Sequence, residues 1–155
     1  MENLPQIEKG LDTKEIQKIV NTYTENVTSH IKTNLDVKEF AQKINNNIGR
    51  VSGMIEDASN IESFDMAGRE LDTLNVIFWK AFEIILKEEL VTNELKMNIG
   101  PLLRAYAKRV IKADEFLAKE LEDQKVIDGL LEIRNNARDT IKTHITILSE
   151  ETPVN

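Results

Sequence analysis

The chain contains no cysteine, which excludes disulfides, thiolate metal sites and cysteine nucleophiles. Proline and glycine are scarce, at three and six among 155 residues, so few positions force a break in regular structure. Basic charge is not in excess. Twenty Lys and Arg stand against 27 Asp and Glu, a net charge of −7. That balance argues against a general nucleic-acid binder and against docking on anionic membranes, both of which need a basic surface. Long apolar runs are also missing. The longest, Val76–Leu86, is interrupted by Lys80 and Glu83 and is too short and too charged to cross a bilayer. The opening residues MENLPQIEKGLD lack the basic segment and apolar core of a secretory signal, so the expectation is a cytoplasmic protein with no membrane partner.

What is present has the balance of a globular protein: 41% hydrophobic and 30% charged residues. The length fits one domain, able to bury roughly 68–70% of its unfolded surface. Apolar residues recur at spacings of three and four almost from end to end, and no stretch alternates with the period of a strand. The fold class expected is all-α, an antiparallel up-and-down bundle of four to five helices joined by short links. Residues 1–11, with Pro5 and Gly10, read as an arm, 12–149 as the helical domain and 150–155 as a frayed tail. The Ile-, Lys- and Asn-rich usage is consistent with an AT-rich genome, such as a low-GC bacterium or one of its mobile elements.

The first helix is expected from Asp12 or Thr13 to about Asn34, with a stripe of Ile16, Ile19, Val20, Tyr23, Val27 and Ile31. Asp36, with Glu39 three residues on, is the expected N-cap of the second. Its stripe runs Val37, Phe40, Ala41, Ile44, Ile48, Val51, Ile55, Ala58 in alternating steps of three and four, a heptad pattern. Asn45-Asn46-Asn47 with Gly49 and Gly53 is poor helix material and predicts a kink or break, or else close approach of another element to the two glycines. A loop around Asn60–Phe64, ending at Ser63 or Asp65, precedes the third helix. A short turn at Glu94–Met97 precedes a fourth, starting near Gly100-Pro101 with a stripe of Leu103, Tyr106, Ala107, Val110, Asp114, Leu117 and Leu121. The fifth is expected from about Lys125 to Ser149, with Ile127, Leu130, Ile133, Ala137, Ile141, His144 and Leu148 inward.

The third helix carries the most information. From Leu71 to Val91 its apolar residues cover far more than one face, leaving only Val76, Lys80, Glu83 and Lys87 as an opposite strip. Such a helix touches several neighbours, either at the centre of a bundle or in a dimer interface. If part of it meets a partner, the contact residues are Ile77, Trp79, Ile84, Leu86 and Leu90, with Trp79 the strongest anchor because tryptophan buries a large area with few rotamers.

Three further features invite chemistry. Asp114 occupies a heptad core position, and an unpaired buried carboxylate is costly, so a buried ion pair with Arg134 or Arg138 is expected across an antiparallel hairpin. Arg104, Lys108 and Lys112 step by four along the fourth helix, and Arg134, Arg138 and Lys142 along the fifth. Their usual role is a solvated face; the alternative is an anion or nucleic-acid contact. His30 and His144 read as core-edge histidines bonded by neighbours, with His144 on a core stripe. Neither follows a glutamate at the Glu-x-x-His spacing, and no phosphate loop, His-Glu-x-x-His or calcium loop is present, so no metal and no cofactor is expected. The carboxylates form no catalytic motif. The resulting expectation is a non-enzymatic bundle acting through protein–protein contacts as an adaptor, chaperone-like binder or regulatory subunit, with a homodimer through the third helix as one form. An anion-binding bundle is the alternative, and membrane insertion of the third helix a third, for which that helix is short.

Overall fold

The computed structural model describes residues 13–119 and 121–151, which form helices α1 (Thr13–Ser29), α2 (Asn34–Asp57), α3 (Ile61–Lys87), α4 (Asn93–Lys96), α5 (Ile99–Leu117) and α6 (Gln124–Glu151). Among the described residues there is no strand. The arm 1–11, residues 152–155 and the side chains of Ile16, Ile19, Val20, Tyr23, Val27 and Leu148 lie outside what is described.

The helix boundaries correct the sequence reading at several points. α1 stops at Ser29, five residues before the expected Asn34. The cap of α2 is Thr33 rather than Asp36. The Thr33 hydroxyl accepts from the Asp36 N–H at 3.2 Å while the Asp36 carboxylate accepts from the Thr33 N–H at 3.0 Å, a reciprocal capping box. α2 is unbroken through Asn45–Gly53. Its stripe from Val37 to Ile55 is buried, and burial along the whole length outweighs the weak propensity of the Asn and Gly residues. Among the described residues nothing lies within 4 Å of where a Cβ would stand at Gly49 or Gly53, so no described element approaches them. α3 begins at Ile61, inside the expected loop, because the Asn60 side chain accepts from the Ser63 N–H at 2.8 Å and starts the helix early.

α3 ends in a Schellman motif. Glu89 adopts the left-handed conformation (φ 57°), the Leu90 N–H bonds to the Ile85 carbonyl and the Glu89 N–H to that of Leu86. The Val91 N–H then donates to Asn34 Oδ1 at 3.0 Å, tying the end of α3 to the start of α2.

Contacts along the helices fix their relative directions. Phe64 meets Phe116, Gly68 lies under Arg109 and Asp72 bonds Tyr106, so α3 and α5 run in opposite senses. Asn98 of the turn before α5 donates to the Ala41 carbonyl, while Lys108 reaches Glu56, so α2 and α5 run in the same sense. Arg134 bonds Asp114, closing α5 and α6 as a hairpin. Lys80 of α3 donates to Asn21 of α1. The core lies between α2, α3 and α5, where Phe40, Ile44, Phe64, Leu71, Phe78, Ile85, Leu102 and Tyr106 are buried, and Leu130 and Ala137 bring α6 against it.

The inward face of α5 differs from expectation. Leu102, Ala105, Tyr106, Arg109, Ala113 and Phe116 are buried, whereas Leu103, Val110 and Leu117 are only partly covered. The helix has two apolar sides, one for α2 and α3 and one for α6, and a single stripe could not represent both. α5 also stops at Leu117, short of Leu121.

Candidate functional site

The structured polar chemistry lies in the seam between α3, α5 and α6. Three positions on successive turns of α3, Gly68, Asp72 and Asn75, face this seam, followed by Trp79. α5 contributes Tyr106 and Arg109, and α6 contributes Thr140 and His144.

Arg109 is almost fully buried, an uncommon state for a guanidinium. It is accommodated because Gly68 has no side chain: a Cβ there would fall 2.6–2.7 Å from three guanidinium atoms. Arg109 Nη1 donates to Asp72 Oδ1 at 2.9 Å, and the Tyr106 hydroxyl donates to the same oxygen at 2.8 Å. Asp72 is half exposed, so the pair reaches from core to surface. Burial, with the Asp72 charge second, pushes the Tyr106 phenol well above its ordinary value, so it stays a donor. Arg109 Nε finds no partner among the described residues.

His144 is buried and makes three polar contacts. Its Nδ1 lies 2.7 Å from the Thr140 carbonyl, and its Nε2 lies 2.8 Å from both the Trp79 indole nitrogen and Asn75 Oδ1. The indole N–H can only donate. Nε2 therefore accepts from it and Nδ1 carries the proton given to Thr140. The imidazole is neutral, and burial lowers its pKa below the usual 6.5 against an opposing pull from the Thr140 carbonyl. Trp79 also stacks edge-on against His144 and Phe78. In the neutral ring the Nε2 lone pair is occupied by the Trp79 N–H.

The residues singled out from sequence scatter across these environments. Ile77 is completely buried, which corrects its assignment as a contact residue: it is core, facing inward beside Phe78. Trp79 is partly covered and engaged by His144, and Leu90 packs on the core as the apolar residue of the Schellman turn. Ile84 is partly covered and Leu86 is 44% exposed. Asp114 does meet Arg134, at 3.1 Å, but its side chain is 45% exposed, so the pair is not buried as expected. The rotation of α5 places Asp114 at the rim of the hairpin, with Arg138 exposed a turn further along α6.

The two basic stripes do not share a groove. Lys108 bonds the Glu56 carboxylate at 2.9 Å, and Lys112 bonds the Glu56 carbonyl and Glu115, so both point toward α2. Lys108 in turn lowers the pKa of Glu56 through a hydrogen bond and its charge. Arg134, Arg138 and Lys142 belong to α6, and Arg104 is exposed near the start of α5. His30 is exposed beside Ser29 and Asn26, not at a core edge. No group of three or more His, Cys, Asp or Glu among the described residues could hold a metal, and no described helix is long and apolar enough to cross a membrane.

The Gly68–Asp72–Tyr106–Arg109 set was missed from sequence. Its one legible sign was a glycine on the apolar face of a helix, a position where glycine lowers stability unless something occupies the space. Comparisons with family models, with curated proteins and with solved structures give no match.

Proposed function

We propose that this chain is an antiparallel up-and-down helical bundle with no catalysis of its own, acting through protein–protein contacts at one end of the molecule. That end is built from the start of α2, the close of α3 and α4. The observation that carries this reading is the placement of exposed apolar side chains. Leu35 (64% exposed), Leu86, Val91 (51%) and Met97 (73%) all belong to these segments, and they make up four of the seven strongly exposed large apolar residues among those described. Exposed apolar surface gathered in one place marks an interaction site more often than scattered residues do. The bond from the Val91 N–H to the Asn34 side chain ties the segment after α3 to the first turn of α2, where Leu35 follows. Leu86 is the one residue of the sequence-derived contact set that remains exposed.

A second copy of the chain is the first partner to test. Light-scattering chromatography of the wild type is expected to give a mass above the 17.7 kDa of one chain, and the double variant Leu86→Asp, Met97→Asp to give the monomer with helicity retained. A wild type that stays monomeric at high concentration removes self-association and leaves a different protein as the partner of this end. The anion-binding alternative draws less support, because Glu56 and Glu115 already engage Lys108 and Lys112.

A further inference from the structure

We infer that His144 is a proton-operated switch with two alternative partners on α3, accepting from Trp79 when neutral and donating to Asn75 when charged. The geometry behind this is unusual. Nε2 has room for one hydrogen or one lone pair in its ring plane, and two polar atoms of opposite character stand 2.8 Å from it, the Trp79 indole N–H and Asn75 Oδ1. They lie one helical turn apart on α3, so a single imidazole reaches both. Nδ1 is held to the Thr140 carbonyl and keeps its proton in both states. One proton from solvent therefore goes to Nε2 and nowhere else. Once it is there, Nε2–H faces the indole N–H donor to donor, and that contact turns repulsive. The same hydrogen finds the Asn75 carbonyl already in place.

The charged groups around the ring are paired with one another, turned elsewhere or exposed. From α5 the titratable neighbour is Tyr106, its ring 6.1 Å from the imidazole. Beyond Tyr106, Asp72 of α3 is paired with Arg109 of α5, so that carboxylate is already neutralised. On α6, Arg138, Asp139 and Lys142 are exposed. Lys80 of α3 is turned toward Asn21 of α1. Among the described residues no carboxylate touches the ring, and burial disfavours the charged form, placing the transition below the ordinary histidine range. The consequence is release of the Trp79 indole, which is only partly covered and can turn its N–H to water.

The chain has one tryptophan, so its emission and its single indole N–H resonance report this bond directly. The full-length protein is titrated from pH 8 to pH 5 with helicity followed in parallel. The expected result is a one-proton transition with a red shift in emission, at least a ten-fold loss of indole N–H protection, and helicity unchanged. Asn75→Ala, which removes only the acceptor of the charged state, is expected to move the midpoint down by about one pH unit, a ten-fold loss in proton affinity. His144→Gln, which cannot titrate, is expected to be flat. A flat wild type, a transition that survives in His144→Gln, an unmoved midpoint in Asn75→Ala, or helix loss at the same midpoint overturns the proposal. If His144→Gln does not fold, the ring nitrogen chemical shifts of the wild type decide: a protonated Nε2 above the transition overturns it.

Discussion

At the scale of the residue, the same amino acid has opposite value at different points of the fold. Gly49 and Gly53 lie on an open helix face, where among the described residues an added Cβ would meet nothing within 4 Å. Each lowers stability through backbone entropy alone, so Gly49→Ala and Gly53→Ala are expected to raise unfolding free energy by about 0.5–1 kcal/mol apiece. Gly68→Ala is expected to act in the opposite direction, by about 1–3 kcal/mol, because the new methyl displaces the Arg109 guanidinium from its place against α3. Urea denaturation of the three variants tests both signs in one experiment. A second contrast separates core from surface within one helix. Ile77→Ala removes a fully buried side chain and is expected to cost about 2–5 kcal/mol. Leu86→Ala changes an exposed position and is expected to fall within about 0.5 kcal/mol of wild type by thermal or urea unfolding.

Helix ends decide the behaviour of whole elements. Thr33 satisfies an orphan N–H at the start of α2 and receives the Asp36 carboxylate in return. Thr33→Ala is expected to destabilise the protein by about 1 kcal/mol, read as a shift in the denaturation midpoint with no change in slope. The bonds from the Lys32 and Thr33 N–H groups hold the Asp36 carboxyl below its ordinary range, so its contribution is present at neutral pH and disappears as pH falls through that lowered value. At the other end of α3, Glu89 takes a left-handed conformation that glycine adopts without strain. Glu89→Gly is expected to stabilise by up to about 1 kcal/mol, a sign opposite to the usual effect of glycine next to a helix.

For the molecule as a whole, acid stability depends on His144. Its folded-state pKa lies below the ordinary 6.5, so the unfolded chain takes up the proton first. Stability is therefore complete above pH 6.5 and declines as pH falls from there toward the folded value. A series of urea curves between pH 8 and pH 5 is expected to show this decline, and His144→Gln to remove its onset near pH 6.5. At lower pH, Asp36 and Glu56, both held below the ordinary carboxyl range, add a further loss.

The sequence by itself determined the helical class, the two-residue precision with which α4 and α5 begin, and the inward stripe of α2, because spacing of apolar residues is a local property that burial merely ratifies. It also placed Asp114 within reach of Arg134, since a hairpin fixes register once its turn is known. The tertiary structure alone decided the rest. Whether Ile77 met core or partner depended on how many helices surround α3. The continuity of α2 depended on neighbours covering Ile44, Ile48 and Val51 on both sides of the weak segment. The rotation of α5 followed from packing against α3 on one side and α6 on another, which no single stripe encodes. The Gly68–Arg109 and Trp79–His144 contacts join residues 41 and 65 positions apart, and a contact of that range exists only once three helices have set their distances and rotations.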